Sequence, residues 1–437
     1  MKKALYIIIA ALCMALGAAA ENYPYRSDYL WVTVPDHADW LYHTGEKPVV
    51  DVQLYWYGMP VSDCEVKYEI ADDMLSADRR GTAQLRNGRC RIVMDTRREP
   101  GFRDLTLTAK LGGKTTQHHI KLGFDADKIR PYTKEPSDFM AFWQRNIKDM
   151  RSHKLKYTLE DAPEYATDRM TCQLLKLSTV GSHSVYAYVF VPKQKPAGSC
   201  PVVICPPGAG VKTIKEPLRH RYYGEGGCIR VEMEIHGLDP RLPKTVFDDV
   251  SRAFNGSNEG GYLSYGLPSR DDYYMKNVYL GVLRVIDFAV SLPQWDGRNV
   301  VMQGGSQGGA LSLMASALDE RVTLCVANHP ALSDMAAYME KGRTGGYPHF
   351  NRKEGALTTS VAAALAYFDV VNFARHITCP VYLTWGYNDV TCPPTTSYAV
   401  WNTLTCQKES LITPVNEHWT SDATEYGQYE WIMKHLK

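Results

Sequence analysis

Gly304-Gly305-Ser306-Gln307-Gly308-Gly309 lies between a strand-like run at 299–303 and a helical run at 310–318, and that setting decides how the chain reads. The stretch fits G-x-S-x-G, a turn in which a strand passes sharply into a helix with a serine at its tip. In such an elbow the residues two before and two after the serine nearly touch, a need that glycines at 304 and 308 meet. The serine then stands at a helix N-terminus, where free amides and the dipole favour an oxyanion. A glycine-rich turn with a chance serine has the same local sequence. The strand before, the helix after and suitable partners downstream favour a nucleophile at Ser306.

A serine attacks only once a histidine takes its proton, and a carboxylate must hold that histidine in the right tautomer. In α/β hydrolases the chain order is serine, aspartate, histidine, each on a loop after a strand. Asp389 follows Val381-Tyr382-Leu383-Thr384-Trp385 through Gly386-Tyr387-Asn388, and His418 follows Leu411-Ile412-Thr413 through Pro414-Val415-Asn416-Glu417. The other late histidines fit less well: His376 precedes the strand that supplies the aspartate, and His435 is close to the C-terminus. Glu417 and Asp422 are rival carboxylates, each too near His418 in sequence to occupy a separate strand loop. For the oxyanion hole, one amide is that of Gln307, the residue after the nucleophile. The second falls in Pro206-Pro207-Gly208-Ala209-Gly210, where prolines lack an N–H and Ala209 is the donor of choice.

Working outward, strand-like runs at 185–191, 202–205, 322–327, 381–385 and 411–413 alternate with helical ones at 274–292 and 310–318. That alternation predicts a doubly wound, mostly parallel α/β sheet, which the elbow and the Ser-Asp-His order read as the α/β-hydrolase type. Residues 239–274, rich in Gly, Ser, Asn and Tyr, are too long for a simple connection and read as an irregular flap near the ligand-binding edge. The first part differs. Alternation at 50–56, a run at 91–94, and two runs joined through Gly112-Gly113 read as a smaller all-β sandwich over 21–125. A polar break ends near Pro136, where Ser137 is placed to cap a helix carrying Phe139, Phe142, Trp143 and Ile147. The catalytic domain is expected over 130–437.

With 45% hydrophobic and 22% charged residues and a net charge of +1, the composition excludes a disordered tail and lacks the basic excess of a nucleic-acid binder. Lys2 and Lys3, an apolar run to Leu16 and Ala18-Ala19-Ala20 read as a signal peptide over 1–20, so an exported protein is expected. Leu12 before Cys13 argues against a lipoprotein anchor, and no later run approaches the ~20 apolar residues of a membrane span. The cysteines show neither C-x-x-C nor zinc spacing, so neither metal nor cofactor is expected. Cys64 and Cys90 are candidates to pair; Cys205, Cys325 and Cys379 read as buried thiols.

The segments Tyr273-Tyr274, Ser291-Leu292-Pro293-Gln294, Gly304 to Gly309, Ala317 to Val322, Asn372-Phe373-Ala374 and Asp389-Val390-Thr391-Cys392-Pro393-Pro394 together resemble the acetyl xylan esterase and cephalosporin C deacetylase family. The resemblance implies an α/β-hydrolase fold, Ser306, Asp389 and His418 in the triad positions, and removal of acetyl groups from small acetylated xylo-oligosaccharides. It also implies a homo-oligomer, with the effect of the added N-terminal module on that assembly left open. Two segments depart from the family pattern: Pro207-Gly208-Ala209 replaces H-G-Y, and His236-Gly237-Leu238-Asp239 replaces R-G-Q-G. The expectation is a secreted carbohydrate acetyl esterase without a cofactor. A bulkier feruloyl-type ester, a short peptide, or an inactive glycan-binding role are the alternatives.

Overall fold

Alternating burial builds the first part of the chain. The computed structural model describes residues 28–254 and 261–437; the leader read at 1–20 and residues 255–260 of the flap lie outside the described residues. Nine strands come first: β1 (Tyr29–Pro35), β2 (Leu41–Tyr42), β3 (Val49–Trp56), β4 (Met59–Pro60), β5 (Glu65–Asp72), β6 (Ala77–Gln84), β7 (Arg89–Val93), β8 (Gly101–Leu111) and β9 (Lys114–Phe124). One sheet joins β1, β3, β4 and β7, and the other runs β2-β9-β8-β5-β6. Val50, Val52 and Leu54 of β3, and Leu105, Leu107 and Ala109 of β8, are buried at every second position, so two apolar faces close on each other. Gly112 and Gly113 both adopt positive φ, which lets a two-residue turn join β8 to β9. Cys64 and Cys90 are free thiols, the second on β7 and the first just before β5 in the other sheet. Cys325 and Cys379 are buried as expected, and Cys205 is partly buried.

The larger sheet follows with β10 (Tyr157–Asp161), β11 (Met170–Ser178), β12 (Ser184–Pro192), β13 (Cys200–Cys205), β14 (Ile229–Met233), β15 (Trp295–Gly305), β16 (Leu324–Asn328), β17 (Val381–Gly386) and β18 (Lys408–Thr413). Its order is β10-β11-β12-β14-β13-β15-β16-β17-β18. Strands β14 to β18 run parallel with β13, while β10, β11 and β12 are antiparallel additions at one edge. The chain leaves β13 for β14 on one side and returns for β15 on the other. That reversal opens a crevice at the carboxyl ends of β13 and β15, where doubly wound sheets bind ligands.

Two expectations need correction. Asp138, not Ser137, precedes the helix Phe139–Ser152, and it makes no capping bond. Its carboxylate instead accepts from Arg270 at 2.9 Å and from the Tyr367 hydroxyl, which ties the helix to the rest of the domain rather than to its own backbone. The 239–274 flap is not wholly irregular, because residues Lys244–Ala253 form a helix with Phe247 and Ser251 buried one turn apart. Strand β14, absent from the runs read in the sequence, alternates Ile229, Val231 and Met233 with Arg230 and Glu232. Arg230 is almost wholly buried, pairs with Glu232 at 2.7 Å, donates to Gln303 at 2.9 Å and lies over the Tyr223 ring, so the buried charge is matched.

The two parts share a packed boundary. Phe102 of β8 meets the Tyr387 ring edge-on at 5.1 Å, both rings being buried. Burying such a ring contributes about 2 kcal/mol. Among the described residues no helix is long and apolar enough to cross a membrane.

Candidate active site

The elbow forms because β15 ends at Gly305 and the helix Gln307–Leu318 begins one residue after Ser306. Ser306 takes φ 57° and ψ −123°, a strained conformation for a residue with a side chain. Backbone bonds hold it there: the Ser306 amide donates to Asn328 O at 2.9 Å, and the Ala331 amide donates to Ser306 O at 3.1 Å. A Cβ at Gly304 would meet the Gly308 carbonyl at 2.7 Å, and one at Gly308 would meet Pro206 O at 2.3 Å. Both glycines are therefore required by close approach, and the second contact brings the 206–210 loop against the elbow.

His418 stands on the loop after β18. Its Nε2 lies 3.0 Å from Ser306 Oγ, and its Nδ1 lies 2.7 Å from Asp389 Oδ2. Asp389 is wholly buried on the loop after β17, and its Oδ1 accepts the amides of Thr391 at 2.7 Å and Cys392 at 2.8 Å. Burial pushes its carboxyl up, but the hydrogen bond and charge of His418, the charge of His329 and the Cys392 amide outweigh it and hold the group below its ordinary value. The carboxylate is thus ionised at neutral pH. His376 bonds Glu135 at 3.0 Å and His435 bonds Trp431 O at 2.8 Å, both away from this group.

The candidate oxyanion donors lie on either side of the same crevice. Gln307 opens the helix behind Ser306, and Ala209 lies in the loop after β13. A tyrosine from the flap ties these arms together: Gly210 N donates to Tyr262 Oη at 2.9 Å, and Tyr262 Oη donates to Gln307 Oε1 at 2.7 Å. His236, in the segment that departs from R-G-Q-G, braces the loop further, with Nε2 3.2 Å from Gly210 O and Nδ1 3.0 Å from Tyr274 Oη. Burial above all pushes its imidazole down to about 4, so it acts as a neutral strut.

Sequence reasoning misses several groups here. His329, directly after β16, packs its ring 4.3 Å from that of His418; burial first, then the His418 charge, pushes it down to about 4. Its position at the carboxyl end of a parallel strand is a signal that could find it. With Asp389 and His418 it offers metal-ligating atoms within 4.8 Å of one another, but Asp389 Oδ2 and His418 Nδ1 are already bonded together, so an ion held there would break that bond. Cys392 is buried, interacts with Ser306, and is pushed well above its ordinary range by burial and by the Asp389 carboxylate. It is a protonated thiol beside the elbow. Tyr262 has no local motif and is found only in the folded chain.

A wound sheet with this elbow, and with serine, histidine and carboxylate in contact at its edge, defines an α/β-hydrolase esterase. The profile of the acetyl xylan esterase (AXE1) family matches residues 120–435, and the chain belongs to that family. It is 54% identical over 437 residues to the acetyl esterase Axe7A of Xylanibacter ruminicola, covering 100% of this chain and 98% of the relative. Two solved structures share the fold: the acetyl xylan esterase from Paenibacillus sp. R4 and acetyl xylan esterase 1 from Thermoanaerobacterium sp. JW/SL YS485. Each has a TM-score of 0.62 and 23% identity, over 71% of this chain and 98% of the other.

Proposed function

We propose that this chain is an exported carbohydrate acetyl esterase that removes acetyl groups from acetylated xylan or xylo-oligosaccharides through an acyl-enzyme on Ser306. His418 takes the Ser306 proton as Oγ attacks the ester carbonyl, and returns it to the departing sugar hydroxyl. Asp389 keeps His418 Nδ1 protonated, so that Nε2 faces Ser306 as the acceptor. The amides of Gln307 and Ala209 receive the developing oxyanion, each worth on the order of 3 kcal/mol in the transition state. Water, activated by the same imidazole, then releases acetate. The observation that carries this reading is the continuous contact from Asp389 Oδ2 through His418 to Ser306 Oγ, at 2.7 and 3.0 Å.

The acyl group is small in this reading because the chain belongs to the acetyl xylan esterase family; Tyr262 is buried between the 206–210 loop and Gln307 and bonds to both. Acetate release from acetylated xylan and from simple acetylated sugars tests it. Across p-nitrophenyl esters, kcat/KM is expected to fall by about tenfold or more from acetyl to butyryl, with feruloyl esters poorer still. Equal or faster cleavage of feruloyl esters would move the substrate to a bulkier acyl class. Export rests on the leader at 1–20, and a mature N-terminus at Glu21 in protein recovered outside the cytoplasm is the expected sign; an uncleaved chain retained inside would end that part of the reading.

A further inference from the structure

A lysine from outside the hydrolase sheet reaches the acid of the triad. Lys121 lies on β9, the last strand of the N-terminal sandwich, and its side chain is wholly buried. Its Nζ donates to Asp389 O at 2.7 Å and pairs with Asp73 Oδ1 at 2.8 Å. Its backbone amide donates to Asn388 Oδ1 at 2.9 Å, so one residue grips two successive positions of the acid loop. Asn388 passes the hold on: its amide donates to Asn416 O at 3.1 Å and its Nδ2 donates to Val415 O at 3.3 Å, on the loop that carries His418. Those two loops are pressed together, since a Cβ at Gly386 would meet Asn416 O at 2.1 Å.

Asp73 extends the clamp by accepting from the Thr395 hydroxyl at 2.6 Å, one residue into the helix Pro394–Thr403 that follows the acid loop. His119, two residues before Lys121 and so on the same face of β9, holds Asp104 at 3.2 Å and lies 3.8 Å from Glu417, the neighbour of His418. An ammonium without access to water is costly unless its partners satisfy it. Here the partners are a carboxylate of the sandwich, the Met74 sulfur at 3.8 Å and the main-chain carbonyl of Asp389 itself.

We propose that Lys121 is a positioning residue for ester hydrolysis: the sandwich supplies a buried ammonium that fixes the Asp389 loop and, through Asn388, the His418 loop. The proposal rests on the Ser306, His418 and Asp389 reading. It gives the N-terminal sandwich a part in turnover rather than in spacing alone.

The test uses the full chain with Lys121→Met/Asp73→Asn, which removes both buried charges together and leaves neither unpaired. Active sites are counted by exhaustive fluorophosphonate labelling, and kcat for p-nitrophenyl acetate is expressed per labelled site at a temperature well below the melting transition. A misplaced acid slows chemistry in every folded molecule, so per-site kcat is expected to drop by about tenfold to a hundredfold with KM changed less than about twofold. A merely structural lysine would lower the melting temperature and the number of sites, with per-site kcat within about fivefold of the parent, and that result overturns the proposal. Should the double variant not fold, Lys121→Gln/Asp73→Asn keeps a neutral hydrogen-bonding pair in the same volume and is judged by the same fivefold threshold. Ser306→Ala and Asp389→Asn run beside it. Activity lost in those two but kept in the Lys121 variant removes only the positioning role, whereas activity kept in Ser306→Ala removes the triad reading and this proposal with it.

Discussion

Ser306→Ala is expected to lower acetyl-ester turnover by about 10⁶-fold, equivalent to ~8 kcal/mol of lost barrier reduction. Cys392 is beside Ser306, but burial and the Asp389 carboxylate keep its thiol protonated, and a protonated thiol is a poor nucleophile. His418 would retain its bond to Asp389 and could at best direct water at a carbonyl polarised by the proposed Gln307 and Ala209 donors, a small residue of rate. Because the Ser306 hydroxyl contributes little to packing, the variant is expected to melt close to the parent. Acetate release, followed by a coupled assay on both proteins at equal concentration, checks the number. A loss of less than about a hundredfold would place the nucleophile elsewhere.

Asp389→Asn is expected to cost about 10⁴-fold in kcat, or ~5.5 kcal/mol, through tautomer selection rather than loss of shape. The two oxygens of Asp389 have different tasks: Oδ1 accepts the amides of Thr391 and Cys392, and Oδ2 faces His418 Nδ1. An asparagine can keep both backbone bonds only with its oxygen in the Oδ1 place, and this turns its NH₂ toward the imidazole. Nδ1 must then be the acceptor and Nε2 carries the proton, so His418 offers Ser306 a donor where a base is needed. The outcome expected is a folded enzyme with nearly unchanged KM and greatly reduced kcat. A kcat within tenfold of the parent would mean that Asp389 does not set the tautomer.

The sequence makes some of this site legible and hides the rest for physical reasons. Ser306, Asp389 and His418 each follow a short apolar strand by a few residues, so local pattern and chain order suffice to single them out. The elbow glycines are legible because close approach permits no other side chain. Strand β14 is written in the sequence as Ile229, Val231 and Met233 alternating with Arg230 and Glu232, whereas the contacts of Arg230 with Glu232, Gln303 and Tyr223 exist only in the folded chain. The helix Lys244–Ala253 is hidden by the glycine- and tyrosine-rich sequence after it. Tyr262 and Lys121 carry no motif at all: one lies 45 positions from Gln307 and the other 268 from Asp389, and only tertiary contact joins them. Ser137 misleads because serine before an apolar run is a good cap by local rules, while the neighbouring Asp138 is held in place by Arg270 and Tyr367 from afar.

If Ser306 forms the covalent bond, the mass of the peptide containing residue 306 changes after reaction with a fluorophosphonate. One phosphonyl group on Ser306, gained in step with the loss of acetyl esterase activity and absent from Ser306→Ala, is the expected result. Stoichiometric modification of Ser306 with esterase activity intact, or inactivation with the adduct on another residue, would place the nucleophile elsewhere.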